Sequence, residues 1–117
     1  MPDRVQVERF LQDYREIAKL HGGWNLERRN WGSLAELGLT EAVAREEVLS
    51  LTVSDYCSGP VGDDNPQKRG NVYIFGKDID GVEVYIKLKI VHVGDTRIAR
   101  CLSFHPAEKR LNYPFAE

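Results

Sequence analysis

Hydrophobic and polar residues alternate most strictly between Gly81 and Ile90, GVEVYIKLKI. Val82, Val84, Ile86, Leu88 and Ile90 point one way in a strand, and Glu83, Tyr85, Lys87 and Lys89 point the other. The first set is apolar enough to face a core. The second lines up a phenol and two ammonium groups, as the solvated face of an antiparallel sheet or as a working surface. Asp80-Gly81 marks a two-residue hairpin, since both turn positions need the positive φ that Asp and Gly tolerate. A two-residue loop makes Val72 to Ile79 the partner strand, with Ile79 opposite Val82, Phe75 opposite Ile86 and Tyr73 opposite Leu88. Gly76 then falls opposite Tyr85 and is expected to leave open space beside its ring.

The following strand, Arg97 to His105, poses a choice of register. A two-residue turn at Gly94-Asp95 pairs Lys87 with Leu102 and sends His105 to the core face. Ile98, Leu102 and Phe104 are instead expected in the core, and a one-residue slip moves every side chain to the other face. A three-residue loop or a bulge at Gly94-Asp95-Thr96 is therefore predicted. It sets Tyr85 opposite His105 and Lys87 opposite Ser103, with Arg100 on the core side. The polar face then gathers Tyr85, Lys87, Lys89 and His105. Pro106 stops the strand, and LNYPF (111–115) reads as a docking tail.

Upstream, the period changes. Asp3 is placed to cap a helix over 3–21 in which Val7, Phe10, Leu11, Tyr14, Ile17 and Ala18 share a face, ended by Gly22-Gly23. Trp24 to Asn30 alternates loosely, as a short edge strand would. Ser33-Leu-Ala-Glu36 reads as a capping box opening a short helix closed by Gly38. Thr40 caps a further helix, roughly 41–51, with Ala44, Val48 and Leu51 inward. Residues 54–71 break every period and read as one long loop, functional or disordered. Together these predict an α+β fold: a single domain with an antiparallel sheet backed by N-terminal helices.

Composition narrows the classes. The 117 residues suffice for one modest core. No apolar run approaches the roughly 20 residues of a membrane span, and MPDRVQVERF lacks the apolar stretch of a signal peptide. Cys57 and Cys101 form no metal or disulfide pattern and the three histidines have no ligand spacing, so no cofactor or metal and a cytoplasmic location are expected. The net charge of −2 is uneven. Residues 1–66 carry seven Lys/Arg against twelve Asp/Glu; residues 67–117 carry nine against six. The basic part coincides with the predicted sheet, which suits an anionic ligand such as nucleic acid.

The succession LGLT (37–40), SDYCSGP (54–60), VYIFG (72–76), VYIKLKI (84–90), SFHPAE (103–108) and LNYPF (111–115) resembles the MqsR family of type II toxin-antitoxin toxins over roughly residues 24–115. That resemblance implies a RelE- and YoeB-like fold with a curved antiparallel sheet, metal-independent cleavage of mRNA, and inhibition by an antitoxin, expected to be a helix-turn-helix protein encoded by the adjacent gene. It sets the family's strand tyrosine on Tyr85 and its strand lysine on Lys87. His105 follows SF, where the best-known member has a lysine. With Asp55-Tyr56 and Gly59-Pro60 held fixed, Ser58 replaces the family's loop lysine, which removes a cation. The acidic net charge also departs from the family's basic character, and the family's catalytic glutamine has no assignable counterpart.

The chemistry is consistent on its own terms. Cleavage of RNA by its own 2′-hydroxyl needs a base, charge stabilisation at the phosphorane and an acid for the 5′-oxygen. Histidine serves as acid or base near neutrality; lysine supplies fixed charge; a tyrosine positions a phosphate or stacks a base. Tyr85, Lys87 and His105 are thus the candidate catalytic residues. Lys89, Tyr56, Ser58, Arg28 and Arg29 are candidate substrate contacts, with Lys68 and Arg69 as further phosphate contacts. Two other readings stand beside this one. One is a catalytically silent module keeping only the antitoxin-binding surface; the other is an unrelated binder of single-stranded nucleic acid.

Overall fold

Asp80 and Gly81 adopt φ of 52° and 85°, and the hairpin they close is the frame of the molecule. The structure, a computed structural model, describes residues 2–62 and 71–117. In chain order these form α1 (Arg4–Ala18), β1 (Trp24–Leu26), a 3₁₀ turn (Arg28–Asn30), α2 (Trp31–Leu37), α3 (Glu41–Leu49), a second 3₁₀ turn (Val53–Asp55), β2 (Tyr56–Val61), β3 (Val72–Ile79), β4 (Val82–Val93) and β5 (Thr96–Pro106). The five strands make one sheet in the order β1-β5-β4-β3-β2. Lys68 and Arg69 lie outside the described residues. Among the described residues, no helix is long and apolar enough to cross a membrane.

The helices cover one face of the sheet. Asp3 caps α1 through a reciprocal box with Gln6, and all six predicted apolar residues of α1 are buried. Phe10 stacks on Tyr73 with ring centroids 4.0 Å apart, and Phe75, Ile86, Leu88 and Phe104 complete this side of the core without solvent exposure. Burial holds the Tyr14 phenol and the Cys101 thiol protonated, each raised well above its ordinary value by desolvation. Thr40 caps α3, and Ala44, Val48 and Leu51 are buried as the pattern requires.

Several expectations are corrected. The sheet is mixed, because β1 runs parallel to β5, with Trp24 opposite Ala99 and Leu26 opposite Cys101. Only three of the residues from Trp24 to Asn30 are strand, and Arg28–Asn30 turns away as a 3₁₀ turn. The Asn30 side chain takes over the ladder there: its Nδ2 donates to the Leu102 carbonyl (3.1 Å) and its Oδ1 accepts from the Phe104 N–H (3.0 Å). Helix α2 begins at Trp31, not at a Ser33 capping box, and ends as predicted at Gly38, with φ of 71°. The segment 54–71 is not wholly loop, since Tyr56–Val61 pairs irregularly and antiparallel with β3. Gly59 and Pro60 are tolerated because β2 is an edge strand.

The register question has an instructive answer. Val93 pairs with Thr96, so the turn at Gly94-Asp95 has two residues after all. The slip occurs further along, where Lys87 faces Ser103 but Leu88 faces Cys101, leaving Leu102 as an extra residue. Above this bulge the core face takes Ala99 and Cys101, not Ile98 and Leu102; both small residues are fully buried. Helix α1 packs against β5, whose core-facing side chains Ala99 and Cys101 are small. Arg100 accordingly stands on the polar face opposite Lys89, with Nε 3.3 Å from Asn25 Oδ1, and its own charge stays out of the core.

Candidate functional site

Below the bulge the phase reverses, and the face away from the helices acquires its chemistry. Tyr85 is opposite His105, and their rings stack with centroids 5.1 Å apart at 18°. Lys87, two residues on, is opposite Ser103. Ser58 pairs with Ile74, which pairs with Lys87, so Ser58, Ile74, Lys87 and Ser103 form one row across four strands. The structure thus brings Tyr85, Lys87 and His105 together as predicted.

His105 is half-buried, and its Nδ1 lies 2.9 Å from the Pro106 carbonyl oxygen. A carbonyl only accepts, so Nδ1 carries the proton in this contact and Nε2 holds the lone pair of the neutral ring. A general base needs a nitrogen fixed in this way. Tyr85 and Lys87 are also half-buried, and Lys87 already has an interaction partner within the chain.

Other predicted contacts are distributed differently. Lys89 shares the polar face but is only 3 % exposed and likewise engaged, so it adds charge beneath the surface rather than an open contact. Tyr56 is 1 % exposed and belongs to the core. Its ring meets Phe75 edge-on at 6.1 Å and stacks on Phe115 at 5.3 Å, its hydroxyl donates to the Gly59 carbonyl, and burial raises its pKa. Ser58 is exposed at the edge of the row and provides no charge. Arg28 stacks over Trp31 with its guanidinium carbon 5.5 Å from the ring centroid, on the outer side of the 3₁₀ turn. Arg29 reaches the polar face, with Nη2 3.4 Å from Ser103 Oγ.

The expected open space beside Tyr85 is filled. Gly76 sits opposite Tyr85 as predicted, but a side chain at Gly76 would collide with Leu111 and Tyr113 of the C-terminal segment. Glu83 secures that segment: its Oε1 accepts from the Leu111 N–H (3.0 Å) and its Oε2 from the Tyr113 hydroxyl (2.8 Å). Burial, reinforced by this carboxylate, raises the Tyr113 pKa. Phe115 continues onto Tyr56, and Arg4 bonds the Phe115 carbonyl at 3.3 Å and Glu117 at 3.0 Å. LNYPF therefore docks on its own domain. Sequence reasoning missed this wall of the site, although Gly76 among large strand residues was its only local signal.

Cys57 adjoins the same region but is unsuited to nucleophilic work, because burial and the nearby Glu83 and Asp55 push its thiol up to about 12. Among the described residues, no group of three or more His, Cys, Asp or Glu side chains is arranged to hold a metal ion. No protein-family model, curated protein or solved structure matches the chain.

Proposed function

We propose that the protein is a metal-independent endoribonuclease of the RelE-like, MqsR type, the toxin of a type II toxin-antitoxin pair, acting on single-stranded mRNA through its helix-free sheet face. The observation that carries this reading is the stacked Tyr85–His105 pair with Lys87 beside it. RNA brings its own nucleophile, so the protein has to supply only proton transfer and charge. His105 Nε2 takes the 2′-hydroxyl proton and then returns it to the departing 5′-oxygen, serving as base and then as acid. Lys87 offsets charge at the phosphorane, and Tyr85 orients the phosphate or stacks a flanking base. The motif resemblance and the excess of basic residues in 67–117 support the same reading. The partner would be an acidic segment of a cognate antitoxin drawn to this basic half, and the cell compartment the cytoplasm.

A second reading has its own support. Ser58 offers no cation, and Leu111 and Tyr113 fill the room beside Tyr85, as in a module that binds a partner without cutting RNA. Incubating purified protein with a defined single-stranded RNA in excess EDTA separates the two. The ribonuclease reading expects cleavage leaving 2′,3′-cyclic phosphate and 5′-hydroxyl ends. Cleavage that stops with chelation and returns with magnesium contradicts the mechanism, and intact RNA favours the silent module.

A further inference from the structure

We infer that Arg29, with Ser103 and Lys87, forms an oxyanion site for a phosphodiester oxygen on the β5 side of the Tyr85–His105 pair. This names a contact within the ribonuclease site proposed above and rests on that reading.

The bulge that aligns His105 with Tyr85 also builds this site. Beyond Leu26 the parallel ladder ends, and the carbonyl of the extra residue Leu102 turns outward to meet the 3₁₀ turn. Three donors converge on it: Arg29 Nε at 3.1 Å, Arg29 Nη2 at 2.8 Å and Asn30 Nδ2 at 3.1 Å. Two of these come from the same guanidinium, so the plane of Arg29 is fixed by the fork geometry. Nη2 is then 3.4 Å from Ser103 Oγ, and Ser103 lies directly across from Lys87. Cβ atoms of such facing residues are about 5 Å apart. Ser103 and His105 are two apart on one strand, which spaces them about 7 Å along the same face. An oxygen bound between Arg29, Ser103 and Lys87 is thus within one phosphate's reach of His105.

The electrostatics agree. Glu27 Oε2 pairs with Arg29 Nε at 3.0 Å, while its Oε1 is 3.8 Å from Arg100 Nε. One carboxylate between two guanidinium groups leaves the trio positive. The Arg29 side chain is 57 % exposed, and among the described residues its Nη1 makes no hydrogen bond. A planar group held from behind with one edge open is suited to phosphate oxygens. Arg28, its neighbour, is turned onto Trp31 and takes no part.

The test uses the full chain and inorganic phosphate, followed by amide NMR, with acetate at equal ionic strength as the charge control. Wild type should show saturable shifts centred on Ser103 that acetate does not reproduce. Arg29→Gln should weaken phosphate binding about tenfold, as loss of a charged hydrogen bond does. Arg29→Lys, which keeps the charge and one donor for Leu102, should fall between. Arg97→Gln removes a charge from the exposed start of β5 and should bind like wild type. Should Arg29→Gln unfold, Arg29→Lys and Ser103→Ala carry the test through the same affinity. For an all-2′-deoxy oligonucleotide, which cannot be cleaved, the salt slope of binding should drop by about one unit in Arg29→Gln. Phosphate affinity unchanged by folded Arg29 variants, no saturable response in wild type, or equal binding of acetate overturns the inference. The two proposals fail separately. RNA cleavage with phosphate binding indifferent to Arg29 overturns this site alone; Arg29-dependent phosphate binding without RNA cleavage overturns the ribonuclease alone.

Discussion

The two faces of the sheet use the same residue types to opposite ends. Toward the helices, Tyr56, Tyr73 and Tyr14 are buried among Phe10, Phe75 and Phe104, and burial raises the pKa of all three phenols. There a tyrosine is a large apolar body whose hydroxyl has been accommodated, as in the bond from Trp24 Nε1 to the Tyr14 oxygen at 3.1 Å. On the far face Tyr85 stacks on a histidine instead of a phenylalanine and stands two residues from a lysine. The difference is one of neighbours, not of side chain. A core face excludes charge; the other face concentrates it at the price of an incompletely covered sheet. The proposed chemistry is assigned to the second, and the buried core lies on the first.

That division can be broken deliberately. Phe75→Ala removes a fully buried ring from the helix-covered face and should cost about 3–5 kcal/mol in denaturant unfolding. A loss under 1 kcal/mol would mean that the core is not where the burial pattern locates it. Gly76→Ala is a smaller probe of the other face. Its added methyl meets Leu111 and Tyr113, so the C-terminal segment must shift and its bonds to Glu83 loosen. The expected cost is about 1–3 kcal/mol, together with faster hydrogen exchange at the Leu111 amide. Unchanged exchange at Leu111 would contradict the docking of this segment over Tyr85.

How far the sequence carried depends on whether a feature had a local cause. The Asp80-Gly81 turn and the alternation of β4 are written within a few residues, and the β3–β4 register followed from them without error. The pairing of Tyr85 with His105 was also legible, because the demand to segregate Phe104 from His105 constrains the lower half of β5. The location of the slip was not. Ala99 and Cys101 look too small for a core until α1 is laid against them, so tertiary packing placed the bulge at Leu102 instead of at the turn. Parallel pairing of β1 has no turn to announce it, and β2 was hidden by a Gly-Pro pair that an edge strand tolerates. Arg29 was a candidate contact from its charge alone; its anchoring on the Leu102 carbonyl depends on the bulge, whose position the sequence pattern misplaced. The filled space over Gly76 depends on residues thirty-five and thirty-seven positions later, Leu111 and Tyr113.

The central claim, that the charged face does the chemistry without carrying the fold, reduces to one side chain. His105 is half-buried and outside the core cluster, so His105→Ala should alter unfolding free energy by less than about 1 kcal/mol. Single-turnover cleavage of a single-stranded RNA should meanwhile fall about 10²–10⁴-fold, the usual contribution of one general acid or base. A folded His105→Ala protein that cleaves at the wild-type rate would contradict the account.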